Sequence, residues 1–313
     1  MLFIGIDGGQ SGSRAALADE SGTILARVEG PALFSAATGT EPTLLADIAA
    51  LVRRLRDESG AQRDVVRSLV AGISGQDAQA RIPRAAIAAE EARLVHDSEI
   101  AHAAALAGYR GILVIAGSGS VALGTDAAAH AVRRGGWGTT FGDEGSAFWI
   151  ARAAIGAAMR ASEDGIATSL IASICRHFEV PSLRALQKGT LRRTTSPLEI
   201  ARFAARVLEQ ASDGDAVAAR VRDGAAEALC ELVVRVEQQL GGRSAQSDTP
   251  VSYAGRVFDD AGLRDAWRER VVAAIPKARV VAPRAEPVTG ALILAYRDAG
   301  RDFPPALLRS ATS

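Results

Sequence analysis

Two stretches of this chain constrain its fold more than any other. The first is the apolar run Leu2-Phe-Ile-Gly-Ile6, which enters Asp7-Gly8-Gly9-Gln10-Ser11-Gly12-Ser13 and resumes strand texture over Arg14 to Ala18 and Thr23 to Val28. The second is Gly111-Ile-Leu-Val-Ile-Ala116, which enters Gly117-Ser118-Gly119-Ser120 and continues as a strand over Val121 to Gly124. A short apolar run bounded by glycines and small hydroxyl residues reads as a buried strand closed by a tight turn. Meeting the pattern twice predicts an α/β protein of two similarly begun halves. With 313 residues, 48% of them hydrophobic, the chain is long enough for two cores. We place the halves at residues 1–108 and 109–300, with 301–313 as a loosely held tail.

Between these hairpins the periodicity alternates strand and helix. Pro42 to Glu58 carries apolar residues at Leu44, Leu45, Ile48, Leu51, Val52 and Leu55, the spacing of a one-sided amphipathic helix. Strands are predicted over Ser68–Ile73, Leu94–Val95, Val251–Ala254 and Val280–Val281. Helices are predicted over Ile82–Glu91, Ile100–Ala107, Ala147–Met159, Leu263–Ile275 and Val288–Ala299. Residues 161–245 read as almost wholly helical, in segments Ile166–Phe178, Leu198–Ala211 and Asp215–Leu240. Acidic and basic side chains balance at 36 each, and no basic stripe interleaves with aromatics, which argues against nucleic acid as partner. No apolar run approaches the ~20 residues of a membrane span and no basic leader precedes the first strand, pointing to a cytoplasmic protein without membrane contact. Cys175 and Cys230 form neither a C-x-x-C pair nor a disulfide framework.

Several of these turns carry chemistry. Glycines and hydroxyls at residues 8–13 and 117–120 can form nests of backbone N–H groups for phosphate oxygens, with Asp7 placed to hold a hydrated cation; a plain flexible turn is the alternative. Neither is a Walker loop, since G-x-x-x-x-G-K-[S/T] is absent, and G-x-G-x-x-G fails because residue 122 is Ala. Ser74-Gly75-Gln76-Asp77 follows a strand in the manner of a pocket-forming loop. Asp97 falls where a strand yields to a helix, which suits an N-cap or a general base. The stretch Gly135-Gly136-Trp137-Gly138-Thr-Thr-Phe-Gly142-Asp143-Glu144-Gly145-Ser146 sets five glycines around one indole and two carboxylates. Ordering so much glycine costs backbone entropy, which is reasonable where backbone must approach a hydroxyl-rich ligand.

Taken together, Gly135-Gly-Trp-Gly…Gly142-Asp-Glu-Gly-Ser-Ala-Phe-Trp149, Gly5-Ile-Asp-Gly-Gly9, Gly72-Ile-Ser-Gly75, Gly117-Ser-Gly-Ser120 and Pro287-Val-x-Gly290-Ala291 occur in a known order. The sequence resembles the N-acetylglucosamine kinase branch of the BadF/BadG/BcrA/BcrD-type ATPase family, which also holds the activating ATPases of benzoyl-CoA reductase and hydroxyacyl-CoA dehydratases. That family lies within the acetate and sugar kinase, heat-shock chaperone and actin superfamily. The resemblance implies two ribonuclease-H-like (actin-like ATPase) domains with an interdomain cleft, ATP and Mg²⁺ as cofactors, an amino sugar as substrate, and a homodimer. It implies phosphate contacts at Gly8, Gly9, Ser11, Ser13, Gly117, Ser118, Gly119 and Ser120, with Mg²⁺ at Asp7. It also implies nucleoside contacts at Ala211 and Gly255, sugar contacts at Gly136, Trp137, Gly138 and Asp143, and Asp97 as general base touching the sugar. Alternatives of the same fold are an ATP-driven redox activator and a non-catalytic nucleotide-binding regulator.

The chain departs from the family pattern in three places. Gly30-Pro31-Ala32-Leu33 replaces G-P-S-N, whose Asn contacts the sugar, so the expectation is a shifted sugar preference. Gln10-Ser11-Gly12-Ser13 replaces G-T-K-T, removing a basic contact near ATP. Cys175 and Cys230 do not follow the cluster-bridging cysteines of the activating ATPases.

Overall fold

The computed structural model describes residues 1–9, 12–33, 42–62, 64–75, 80–84, 86–108, 110–126, 130–191, 196–240 and 248–309. Ser11, Gln76 and Asp77 lie outside the described residues. The chain divides into two compact units, one of residues 1–110 with 282–313 and one of residues 111–281.

Unit 1 begins with β1 (Leu2–Gly9), β2 (Gly12–Asp19) and β3 (Ile24–Gly30), an antiparallel meander. Helix α1 (Pro42–Ser59) leads to β4 (Val66–Ile73), and β5 (Ala80–Arg81), β6 (Ala89–His96) and α2 (Asp97–Ala105) follow. The sheet order is β3-β2-β1-β4-β6-β5, with β4 and β6 parallel to β1. Unit 2 repeats the plan. Its meander is β7 (Gly111–Ala116), β8 (Ser120–Thr125) and β9 (Ala131–Gly135). Among the described residues seven helices follow: α3 (Gly138–Phe141), α4 (Ala147–Glu163), α5 (Leu170–His177), α6 (Leu183–Leu191), α7 (Pro197–Arg202), α8 (Ala204–Ser212) and α9 (Ala216–Gln239). Then come β10 (Thr249–Ala254), α10 (Ala261–Ala274) and β11 (Ala278–Val280), giving the order β11-β10-β7-β8-β9 with β10 and β11 parallel to β7. Finally α11 (Pro287–Asp298) and α12 (Ala306–Arg309) return to unit 1.

Alternation along β1 explains how unit 1 is layered. Leu2, Ile4 and Ile6 enter the cluster containing Leu44, Ile48, Leu51 and Leu55 of α1. Phe3 enters a second cluster with Ile100 of α2 and Val288, Leu292 and Tyr296 of α11. On that second face the motif glycines are contact points for helices. A Cβ on Gly5 would lie 2.6 Å from the Val288 carbonyl oxygen, one on Gly72 would lie 2.4 Å from Ile100 Cδ1, and one on Gly290 would lie 1.9 Å from the Ile100 carbonyl oxygen. Helix α11 therefore meets β1 and α2 through backbone, while α2 sets its Ile100 side chain directly on Gly72 of β4.

The structure departs from the sequence expectation in several places. Among the described residues no helix covers Ile82–Glu91; β6 occupies its end from Ala89, because pairing with β4 from Val66↔Ala89 to Ile73↔His96 outweighs the local helix propensity of an Ala- and Glu-rich run. Strand β9 escaped notice because Arg133-Arg134 breaks its apolar pattern. Residues 282–309 join unit 1 rather than the second half, since α11 packs on β1 and α2. The stretch expected to be a loose tail buries Leu307 in the Phe3 cluster as far as it is described. In unit 2, Asp215 caps α9 through the Val217 and Ala218 N–H groups and also accepts from Thr168 Oγ1 and Ser169. Burial opposes its charge, yet these donors hold its carboxyl at about 2.

The α2–α11 contact leaves no room for a side chain at residue 290. Gly290→Ala is expected to destabilise the protein by at least about 2 kcal/mol, the scale of overpacking against rigid backbone, read as a lowered midpoint in chemical denaturation.

Candidate active site

In unit 1 the strand register brings two aspartates to the same sheet end. Asp7 pairs with Gly72 of β4, Gly72 pairs with Val95 of β6, and Asp97 opens α2 two residues later. Asp7 lies on the Phe3–Gly5 face by alternation. Its carboxyl is pushed up to about 6, first by burial and then by the negative charge of Asp97, with Glu286 adding to this and Arg14 opposing it. Asp97 behaves oppositely. Burial would raise it, but hydrogen bonds from His96, Ser74 and the Ser98 amide outweigh burial and hold it below the usual carboxylate range. The residue at the N-cap position of α2 is His96 rather than Asp97; its Nδ1 stands 3.1 Å from the Ser98 nitrogen, and the Asp97 carboxylate also accepts from that N–H. The Asp97 side chain is 37% exposed, within reach of a ligand. A buried carboxylate whose proton affinity is raised by neighbouring carboxylates suits a hydrated divalent cation, which commonly takes only one or two protein oxygens. Asp7 fits that description.

The β1–β2 hairpin divides its residues between packing and presentation. Gly9 faces Gly12 at the tip. Gly8 is covered, since a Cβ there would meet Leu33 Cβ and Ile73 Cδ1, both at 2.7 Å. Ser13 is buried and its Oγ makes no hydrogen bond among the described residues. Leu33 is 1% exposed and belongs to the α1-side core, with its N–H donating to the Gly9 carbonyl at 3.1 Å. Its apolar side chain is therefore a core residue.

In unit 2 the two glycine-rich loops are tied to each other. Gly136 N–H donates to the Ser120 carbonyl at 2.8 Å, Ala147 N–H to the Gly117 carbonyl at 2.8 Å, and Gly117 N–H to the Gly119 carbonyl at 2.9 Å. Asp143, at φ 59 and only 6% exposed, accepts from the Ser120 N–H at 3.2 Å. Burial and the Glu144 charge raise its carboxyl, while the Ser120 and Gly138 N–H groups counter them. Ser120 Oγ donates to the Glu144 carbonyl at 2.7 Å. Helix α4 is capped by Ser146, which accepts from the Trp149 N–H. Trp137 and Phe141 stand 75% and 85% exposed on the same loop.

A cavity of about 460 Å³ opens at Gly117 and Ser118, lined further by Arg202, Ala205, Leu208 and Arg256. Gly255 directs Arg256 there: its φ is 95°, and a Cβ would lie 2.3 Å from the Ala116 carbonyl oxygen. Ala211 is buried in the core of this unit, one turn beyond the cavity-lining part of α8. Sequence reading did not single out Arg202, Leu208 or Arg256. Arg256 follows a named glycine, but nothing in its local sequence marks it as lining a cavity.

The sequence profile of the BadF/BadG/BcrA/BcrD ATPase family matches residues 4–295. The chain belongs to that family. Among individual relatives, it is 31% identical over 205 residues to the N-acetylmuramic acid/N-acetylglucosamine kinase of Clostridium acetobutylicum, an alignment covering 64% of this chain and 66% of that protein, just under two thirds of its length. It is 25% identical over 311 residues to the N-acetyl-D-glucosamine kinase of Dictyostelium discoideum, covering 94% of this chain and 97% of that one. In fold it is similar to a candidate N-acetylglucosamine kinase from Chromobacterium violaceum, with TM-score 0.71, 24% identity, and 94% and 98% of the two chains covered. It is also similar in fold to the ROK hexokinase of Thermus thermophilus, with TM-score 0.58, 15% identity, and 96% and 100% covered. The two repeated sheets are thus the two ribonuclease-H-like domains of an actin-like ATPase fold. As in the sequence, the cysteines of this family member are separate: Cys175 lies on α5 and Cys230 on α9, where burial raises the Cys230 thiol. Among the described residues no helix is long and apolar enough to cross a membrane.

The raised carboxyl of Asp7 has a consequence for stability. Folding favours its protonated form, so the contribution is complete below the unfolded pKa near 4 and is lost as pH rises through about 6. Asp7→Asn is expected to stabilise the protein at pH 8 by on the order of 2 kcal/mol and to give no gain below pH 4, measured by denaturation at the two pH values without divalent cations.

Proposed function

We propose that the protein is an ATP-dependent kinase that transfers the γ-phosphate to a hydroxyl of an amino sugar, N-acetylglucosamine or a related hexosamine. The observation that carries this reading is the state of Asp97: a partly exposed carboxylate at a sheet end, held in its ionised form by donors from His96, Ser74 and the Ser98 amide. The names of the two curated relatives support the substrate class.

In this reading Asp97 accepts the hydroxyl proton. Phosphoryl transfer demands mainly positioning and charge stabilisation, and in a loose transition state the hydroxyl becomes acidic late, so a carboxylate of ordinary or lowered pKa is a sufficient acceptor. Gly9 and Ser11 of the first hairpin, with Gly8 and Ser13 supporting it, and Ser118 and Gly119 of the second supply backbone N–H groups for phosphate oxygens, while Gly117 and Ser120, whose N–H groups go to Gly119 and Asp143, shape the second loop around the phosphates. Asp7 would hold Mg²⁺, which when bound neutralises polyphosphate charge. The cavity at Gly117 and Ser118 takes the nucleotide, with Gly255 shaping its wall and Ala211 supporting α8 from the core. Gly136, Trp137, Gly138 and Asp143 belong to the sugar side, where Asp143 also braces residues 119 and 120. Because Leu33 is a core residue, its apolar side chain is no argument against an acetamido substituent. A homodimer and a cytoplasmic setting complete the proposal.

The test is sugar-dependent ADP release over N-acetylglucosamine, N-acetylmuramic acid, glucosamine and glucose; no stimulation by any of them rejects the kinase reading. Asp97→Asn is expected to cut turnover at least ~100-fold, the scale of a general base, with ATP affinity retained. Arg256 lines the nucleotide cavity and supplies a cation that the first hairpin lacks. Arg256→Ala is accordingly expected to weaken ADP and ATP binding roughly 10-fold, the scale of a charge-assisted hydrogen bond, while leaving adenosine binding within about twofold by calorimetry.

A further inference from the structure

Three contacts converge on one nitrogen beside Asp97. His96 Nδ1 lies 2.8 Å from Asp97 Oδ1 and 2.8 Å from Ser98 Oγ, and the Ser98 amide nitrogen stands 3.1 Å away. A bare nitrogen lone pair and a carboxylate oxygen repel, so a separation of 2.8 Å requires a proton between them. Apart from His96, the Ser74 hydroxyl and the Ser98 amide also donate to Asp97, an environment that suits a carboxylate rather than a carboxylic acid, which leaves the proton on the ring. With the proton on Nδ1, the Ser98 N–H passes to the Asp97 carboxylate, which also accepts from it. From β4 the Ser74 hydroxyl donates to the same carboxylate, and from β1 the like charge of Asp7 acts against it, with Arg14 and Glu286 beside Asp7.

Resting on the kinase reading above, we propose that His96 is a positioning residue whose Nδ1–H holds Asp97 Oδ1, leaving Oδ2 to accept the substrate proton. The imidazole is in its Nδ1–H form. It orients the base in the way a carboxylate orients a catalytic histidine, with donor and acceptor roles exchanged. A purely structural role as N-cap makes a different prediction, since a cap needs only an acceptor for the Ser98 N–H.

His96→Ser keeps a cap oxygen and removes the ring, whereas His96→Ala removes both. The expected result is that His96→Ser retains a thermal midpoint close to wild type, keeps KM for sugar and ATP within about twofold, and loses kcat roughly 10-fold, because a base displaced by a fraction of an ångström loses its near-attack geometry. His96→Ala is expected to lose stability as well. A wild-type kcat in His96→Ser, with or without a raised KM, overturns the proposal. An independent reading comes from ¹⁵N spectra of ring-labelled protein. His96 is expected as the Nδ1–H tautomer in wild type and as the Nε2–H tautomer in Asp97→Asn, and an Nε2–H ring in wild type overturns the proposal. Should no sugar stimulate turnover in wild type, the kinase reading fails, and the spectra still decide whether His96 holds Asp97.

Discussion

Backbone-to-backbone contact between α2 and α11, seated on β1 and β4, is the interaction on which the first unit depends. Gly5, Gly72 and Gly290 are the three points where a single methyl group would meet a carbonyl oxygen or the Ile100 side chain. Close approach at these points fixes where α2 begins, and Asp97 is its first residue. The glycines of two motifs that read as ligand loops thus serve the site indirectly. They allow a helix to lie low enough for its N-terminal carboxylate to come under the influence of Asp7 at the same end of the sheet.

Unit 2 solves a similar problem with hydrogen bonds. Its glycine-dense loop would be costly to order alone, and it is held by the Gly136–Ser120, Ala147–Gly117 and Asp143–Ser120 bonds. The aspartate at position 143 adopts a left-handed backbone to reach that amide, a strained conformation tolerated at functional loops. Trp137 and Phe141 are left outside this clamp and remain exposed. Rigid loop bases and exposed aromatic surface coexist because the bonds engage backbone and the carboxylate, leaving the rings free.

Electrostatics separates the two aspartates of unit 1. Both are partly buried, and burial alone would raise both. Asp97 gathers donors from His96, Ser74 and the α2 amide, whereas Asp7 faces carboxylates with Arg14 as partial compensation. Divergent proton affinity in neighbouring carboxylates is the usual mark of divided roles, here a cation holder and a proton acceptor in the proposed reaction.

Much of the architecture was legible in the chain itself. Two strand–glycine–strand openings, the periodicity of α1 and the long helical middle announced two α/β units, because local patterning follows from side-chain alternation and helical spacing. The ordered motifs announced the family. What the sequence could not tell was which glycine approaches a ligand and which approaches a helix, since both need the same missing side chain: Gly8 faces Leu33 and Ile73, while Gly9 is open. Nor could it assign the start of α2, where His96 stands at the cap position that Asp97 was equally suited to fill. Strand β6 replaced a predicted helix, α11 returned to the first unit, and Leu33 proved to be core. Each of these depended on partners distant in sequence, and pairing and burial across such distances exist only once the chain has folded.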